Sequence, residues 1–125
     1  MKSNKFSIKS RLKSFSYAWN GLKILLREEH NSRVHLVGAI IAMGLSFFFK
    51  ISTFEWIAVI FSIGFVFAME LLNSAFVIFA DFATTEKNEM IKKAKDLAAG
   101  GVLIAAITAG SIGCIIFAPK IWLIL

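Results

Sequence analysis

Two polar side chains, Glu70 and Asn73, interrupt an apolar segment that runs from about residue 54 to residue 82. On a helix that turns ~100° per residue, both share one stripe with Val77 and Asp81. A carboxylate in hydrocarbon costs about 2.5–3.5 kcal/mol on insertion scales, so such residues usually face a protein interior or a watery cavity and mark function. The alternative is that they only join helices through hydrogen bonds. Because three polar groups share the stripe, we favour a functional site.

These residue types suit phosphoryl transfer. Carboxylate and amide oxygens can hold Mg²⁺, which tends to arrive with substrate phosphates, and a nearby lysine such as Lys95 can meet phosphate charge. A carboxylate at the level of the lipid headgroups can accept a proton from an alcohol, which is the base role in that reaction. The sequence has no Walker loop, because Gly100 and Gly101 lie inside an apolar segment, and it has no protein-kinase signature.

The composition indicates a membrane protein of one domain. Of the 125 residues, 58% are hydrophobic and the mean hydropathy is +0.74, against about 45–50% apolar residues in soluble domains. The net charge of +6 follows the ends of the apolar segments instead of forming a compact basic face, so we expect no nucleic-acid partner. The single Cys114 lies in an apolar segment and is interpreted as a small buried hydrophobe.

Residues 5–27 predict an amphipathic helix on the membrane surface. Apolar residues recur at steps of three and four, and basic or polar residues follow one position later. Tyr17 and Trp19 suit the headgroup region, and the basic residues attract anionic lipid. The alternative, packing on a protein core, is less favoured because nothing soluble remains elsewhere in the chain. No secretory signal is expected, because no apolar region with a small-residue cleavage site follows the basic start.

Three further segments predict transmembrane helices, since ~20 apolar helical residues cross a bilayer. Their approximate bounds are 31–49, 54–83 and 96–118. The third is rich in Gly and Ala, which lets helix backbones approach closely, and we expect Pro119 to end it. No capping box marks a helix start between residues 84 and 95, so that boundary stays open. The fold class is an all-α membrane protein, with one amphipathic surface helix and three transmembrane helices.

The charge distribution predicts the orientation. Of the 14 Lys and Arg residues, 12 lie in residues 1–33 or 87–95, which three spans place on the same side of the membrane. By the positive-inside rule that side is cytoplasmic, and so is the N-terminus. The polar residues that collect near the cytoplasmic interface are Glu29, Glu70, Asn73, Asp81, Lys95 and Asp96.

Four motifs with their spacing to the three spans resemble the small bacterial membrane lipid kinases, the diacylglycerol kinase and undecaprenol kinase family, along nearly the whole chain. They are YAWNGL at 17–22, EHNSRVH at 29–35, ELLNSA at 70–75 and AKDLAAG at 94–100. The resemblance implies a multi-pass protein of the bacterial inner membrane and a homotrimer with active sites between neighbouring subunits. It also implies direct transfer of the γ-phosphate of ATP, with Mg²⁺ as cofactor, to the hydroxyl of a membrane lipid.

The resemblance also assigns roles to single residues. Glu70 and Asn73 resemble the catalytic pair, with Glu70 as general base, and Asp81 resembles a supporting residue. The lipid substrate is expected at Trp19, Arg33 and Glu70. The residues that resemble nucleotide and metal contacts are Tyr17, Glu29, Glu86, Lys95 and Asp96, of which Glu29 resembles one of the two carboxylates that bind the metal.

One departure from the family pattern concerns the metal. The pattern has a second metal-binding Glu four residues after the Asn, where this chain has Val77. Valine cannot ligate a cation, so a metal would keep Glu29, ATP oxygens and water, with Glu28 or Asp81 as possible substitutes. Losing outer-shell support of a metal commonly costs about 10–100-fold in affinity or activity, and a direct ligand should cost more. A smaller departure is Ser10, where the family tends to carry a basic residue.

Three functional hypotheses follow. The leading one is an ATP-dependent kinase of undecaprenol or diacylglycerol, and the second is a catalytically impaired or non-catalytic relative because of Val77. The third is a proton-coupled transporter that uses Glu70, which would leave Glu29, Lys95 and Asp96 unexplained. The pattern of residues 31–35 looks more like the undecaprenol kinase branch, although the sequence does not identify the lipid. His30 and His35 are poorly spaced for one metal on a helical face and are interpreted as polar interface residues.

Overall fold

The computed structural model describes residues 7–125, which form four α-helices and, within that range, no strand. The helices are α1 (Ile8–Glu28), α2 (His30–Phe48), α3 (Thr53–Ala83) and α4 (Glu89–Ile124). Helices α2, α3 and α4 are long and apolar enough to cross a membrane. The predicted class, one amphipathic helix followed by three membrane-spanning helices, is therefore confirmed. The predicted start of the first helix, at about residue 5, lies outside the described residues.

Helix α1 leaves most of its apolar stripe uncovered by protein. Its first turn is capped by Ser7, whose hydroxyl accepts a hydrogen bond from the Ser10 amide at 3.3 Å. The apolar side chains of Leu12 and Phe15 are 64% and 74% exposed. Only the last turns are packed, with Leu25 buried against the rest of the chain. The apolar stripe of α1 therefore does not pack on the core of its own chain. A lipid surface is an environment that suits such a stripe.

The joint between α1 and α2 is a single residue, Glu29, in an extended conformation with φ −104° and ψ 111°. The fully buried hydroxyl of Ser32 lies 2.9 Å from the Leu25 carbonyl and 2.7 Å from the Glu29 carbonyl and donates to them. Arg33 Nη2 donates to the Arg27 carbonyl at 2.9 Å. The Leu25 carbonyl also accepts the Glu29 amide at 2.9 Å, so Ser32 is its second donor, whereas Arg33 serves a carbonyl of the last turn of α1. Together these bonds fix the angle between α1 and α2.

The end of the bundle opposite the α1–α2 joint is closed by packing and by one carboxylate. Apolar residues of α3, α4 and the α2–α3 turn form a buried cluster of Ile51, Val59, Ile116 and Phe117. Glu55 forms a capping box with Ser52, accepting the Ser52 amide at 3.0 Å. The second oxygen of Glu55 accepts a hydrogen bond from Lys120 Nζ at 2.6 Å. Glu55 therefore joins the start of α3 to the last turns of α4.

Helix α4 extends beyond the predicted transmembrane segment of 96–118 at both ends, and its start is the boundary that the sequence leaves open. It begins at Glu89 because the Asn88 side chain accepts hydrogen bonds from two free amides of the first turn. That cap is not a capping box, so the capping-box pattern does not predict it. At the other end the helix runs on to Ile124 with Pro119 inside it, so the prediction that Pro119 ends the segment is wrong. Pro119 removes the backbone donor that would pair with the Ile115 carbonyl four residues earlier, and spanning helices tolerate such a loss. In the same turn Lys120 Nζ donates to the Ile116 carbonyl.

Helices α3 and α4 form the main antiparallel pair, and α2 packs on α3. The two helices approach closely at Gly101, where a Cβ atom would lie 2.7 Å from Met69 Cε. Small residues permit such an approach between spanning helices. Because neighbouring residues on a helix point about 100° apart, this contact places α4 against the face of α3 that carries Met69, next to the face that carries Glu70.

We expect Lys120→Met to lower the midpoint of thermal unfolding in detergent by a few degrees, because Glu55 loses its partner across the α3–α4 pair. Glu55→Gln should have a similar effect, and the double variant should lose less than the sum of the two. Lys50→Met, at an exposed lysine in the α2–α3 turn, is the matched control and should change little. Strictly additive effects of Glu55 and Lys120 would show that the ion pair does not connect the helices.

Candidate active site

Glu70 is the one carboxylate that is buried among the described residues, with 4% of the residue exposed. Its Oε1 atom contacts Nδ1 of His35, which reaches it from α2 with 29% of its side chain exposed. A buried carboxylate without a partner is costly, so this contact compensates in part for the loss of hydration. The predicted polar residue within the second span is therefore held between two helices.

The sequence interpretation of His35 as a polar interface residue misses this contact. A signal was available, because a carboxylate within a span needs a partner and His35 is the last ionisable residue before the apolar part of α2. What the sequence does not contain is the register between α2 and α3, which places residue 35 opposite residue 70.

Two buried oxygen atoms of the same stripe have no hydrogen-bond partner: Glu70 Oε2 and Asn73 Oδ1. The residues are three apart on α3, so their side chains lie on the same face. Buried polar atoms in folded proteins are nearly always paired, and an unpaired one commonly belongs to a functional site. Both atoms are acceptors, so the group that suits them is a donor such as a hydroxyl.

Three of the predicted site residues line one depression at the connection between α3 and α4. Its volume is about 860 Å³, and its wall includes Asp81, Glu86 and Lys95. Lys95 Nζ lies 2.5 Å from Asp81 Oδ1 and bridges the two helices. Lys92 also lines the depression and forms an ion pair of 2.8 Å with Asp96. The depression therefore combines cations suited to phosphate with carboxylates that hold them in place.

The predicted residues of α1 and of the α1–α2 joint are exposed. Tyr17 and Trp19 are 71% and 63% exposed, and Glu29 is exposed in the joint. Arg33, predicted to face the lipid substrate, is exposed and uses Nη2 on the Arg27 carbonyl. Their roles at a site remain predictions.

No metal site is assembled within the described part of one chain. Residues 7–125 bring no three His, Cys, Asp or Glu side chains into a group that could hold a metal ion. Val77 lies half-buried on α3, one turn beyond Asn73, and offers no ligand atom. The residues therefore do not fit a resident cation bound by protein alone. A cation that arrives with phosphates needs only one or two carboxylates from the protein, and Glu29 is accessible for that.

The sequence matches known lipid kinases over most of its length. The family model described as prokaryotic diacylglycerol kinase matches residues 16–117. The chain is 36% identical to an undecaprenol kinase of Bacillus subtilis over 109 residues, which cover 87% of this chain and 89% of the relative. It is 36% identical to a diacylglycerol kinase of Haemophilus influenzae over 107 residues, 85% of this chain and 91% of the relative. A diacylglycerol kinase of Escherichia coli is 30% identical over 105 residues, 84% of this chain and 86% of the relative.

We expect Asn73→Leu to leave the free energy of unfolding unchanged or to raise it by up to about 1 kcal/mol, because it removes a buried oxygen that has no partner. Unfolding in detergent, followed by circular dichroism with increasing temperature, measures the effect, and Asn73→Ala controls for side-chain volume. A clear loss of stability in the Leu variant would show that Asn73 has a structural partner. The function of the site should suffer in both variants.

Proposed function

The chain belongs to the prokaryotic diacylglycerol kinase family, and from that premise we propose that it transfers the γ-phosphate of ATP to the hydroxyl of a membrane lipid. The observation that carries the proposal is the buried Glu70 carboxylate, whose Oε2 atom is free to accept a proton beside the free Oδ1 atom of Asn73. Both acceptors lie on a membrane-spanning helix, where an alcohol reaches them from within the lipid and not from bulk water.

In the proposed reaction the lipid hydroxyl donates its proton to Glu70 Oε2 as its oxygen forms a bond to the γ-phosphorus. The bond from that phosphorus to the bridging oxygen of ADP breaks, so the products are the lipid phosphate, ADP and a protonated Glu70. The hydroxyl has a single hydrogen, which Glu70 takes, so Asn73 would help to orient the lipid oxygen through its amide N–H group. Positioning and charge stabilisation supply most of the catalysis in such reactions.

The depression at the α3–α4 connection is the proposed nucleotide site. Lys95 would exchange Asp81 for phosphate oxygens, and Lys92 adds a second cation on the same wall. Mg²⁺ is proposed to enter as part of the nucleotide substrate, with Glu29 as the protein ligand, and to neutralise phosphate charge there. Tyr17, Glu86 and Asp96 remain proposed nucleotide contacts, and Trp19 and Arg33 proposed lipid contacts.

A homotrimer is proposed to complete the site. Glu29 and Tyr17 are exposed within one chain, and large apolar side chains such as Ile40, Phe61 and Ile107 are 56–68% exposed on the spanning helices. Packing between subunits would cover part of that apolar surface and would bring residues of one chain toward Glu70 of the next. The inner membrane, with the N-terminus in the cytoplasm, is the proposed location, because 12 of the 14 Lys and Arg residues lie on that side.

The second candidate function is that of a non-catalytic relative. Val77 favours it, because it replaces a metal-binding Glu of the family pattern. The buried Glu70 with its free oxygen favours the active enzyme, because keeping such a group in an apolar bundle is costly. We therefore propose activity, with a weakened hold on the metal as the expected consequence of Val77.

We expect purified protein in detergent with excess Mg²⁺ to transfer labelled phosphate from ATP to a lipid alcohol, with undecaprenol and diacylglycerol tested in parallel. Glu70→Gln should abolish the transfer, because an amide cannot accept the proton. Val77→Glu should lower the Mg²⁺ concentration needed for half-maximal rate by about 10-fold or more, as a restored ligand would.

Transfer only by the Val77→Glu variant would establish the non-catalytic relative. Transfer that persists in Glu70→Gln would contradict the role of Glu70. Activity in detergent, where no proton gradient exists, would exclude the transporter hypothesis.

We expect Lys95→Met to raise the KM for ATP by about 10–100-fold, since a hydrogen bond to a charged group is worth roughly 1.5–3 kcal/mol. Lys93→Met is the matched control, because Lys93 is an exposed lysine of the same turn of α4 that does not line the depression. The initial rates at several ATP concentrations measure both. Equal effects of the two substitutions would indicate a general charge effect and not a phosphate contact.

A further inference from the structure

We propose that His35 is a positioning residue for Glu70, which fixes Oε1 of the carboxylate through Nδ1 and thereby directs Oε2 toward the lipid hydroxyl. The inference rests on the proposed function of Glu70 as general base. It gives a residue of α2 a part in the chemistry of a carboxylate that lies on α3.

The geometry divides the two oxygens of one carboxylate between two tasks. Oε1 is in contact with the imidazole, while Oε2 is buried and has no partner. A glutamate side chain has three rotatable bonds, so without a fixed partner the free oxygen would sample several positions. One bond to a group on a different helix removes most of that freedom. The oxygen that must accept the proton is then held ready before the substrate binds.

The position of His35 in the fold suits this task. It lies on α2, with 29% of its side chain exposed, whereas Glu70 is almost fully enclosed. The backbone near His35 is held in turn by the α1–α2 joint, where Ser32 and Arg33 make hydrogen bonds to carbonyls of α1 and of the joint. The turn of α2 that carries His35 is therefore fixed relative to α1.

A merely structural role would be to join α2 to α3 or to balance a buried charge. In that case any variant with the same stability should have the same kcat. A positioning role instead predicts that kcat falls while the KM values for ATP and lipid stay constant, because the interaction matters only as the proton is transferred. It also predicts that kcat depends on where the hydrogen-bonding nitrogen of residue 35 lies, and not only on whether residue 35 has one.

The decisive experiment compares His35→Asn with His35→Gln in the phosphate-transfer assay. The Asn amide lies near the place of Nδ1, whereas the Gln amide lies near the place of Nε2. We expect the Asn variant to retain most of kcat and the Gln and Leu variants to lose about 100-fold, the cost of a displacement of ~1 Å at a reacting group. Val59→Ala, in the apolar cluster at the other end of the bundle, is the control for lost stability and should retain kcat at a temperature below unfolding.

A second readout does not require activity. The chain has two histidines, so labelled-histidine NMR in detergent should show one imidazole with a hydrogen-bonded Nδ1, whose resonance shifts in Glu70→Leu. Equal kcat values for the Asn and Gln variants, in an active protein, would overturn the positioning role alone. Absence of that resonance shift would overturn the contact itself. Absence of transfer by the unaltered chain, with the NMR signature present, would overturn the proposed function and the positioning role with it, while leaving the contact established.

Discussion

A carboxylate can remain inside an apolar helix bundle only if the protein replaces the water that it has lost. In this chain Glu70 receives one such replacement, from His35, and keeps its second oxygen free. The other features of the fold serve that arrangement. Gly101 leaves room between α3 and α4 for the end of the Met69 side chain, and the turn at Glu29 fixes the start of the helix that carries His35. Leaving Oε2 of Glu70 without a partner lowers the stability of the bundle. In the proposed function this oxygen is the acceptor that a lipid alcohol reaches.

The two ends of the helix bundle differ: one end is packed and stabilises the fold, and the other end carries the polar residues proposed for the reaction. At one end, apolar side chains form a buried cluster, and Glu55 joins two helices through a cap and an ion pair. At the other end, Asp81 is largely exposed and Lys95 is about one third exposed, and both line an open depression. An ion pair so near the surface contributes little to stability, so Lys95 would be free to exchange Asp81 for phosphate, as proposed. This separation explains how polar groups can collect at one end without loosening the whole bundle.

The sequence predicted the elements better than it predicted the site. Hydropathy and length located the second span at about 54–83, and α3 runs over Thr53–Ala83, because a long apolar segment has few alternatives. The local rule for proline failed at Pro119, because a spanning helix can continue through the loss of one backbone hydrogen bond. Topology alone brought Asp81 and Lys95 to one side of the membrane. The contact of His35 with Glu70 was not predictable, because it depends on the register between two helices, which non-local packing decides.

The most direct test of the proposed mechanism is a structure of the protein with a lipid alcohol and a non-hydrolysable ATP analogue with Mg²⁺. The mechanism predicts the lipid hydroxyl within hydrogen-bond distance of Glu70 Oε2, with His35 still on Oε1 and the terminal phosphate on the far side of the hydroxyl oxygen. A lipid hydroxyl bound elsewhere, or a Glu70 carboxylate turned away from His35 in the complex, would contradict it.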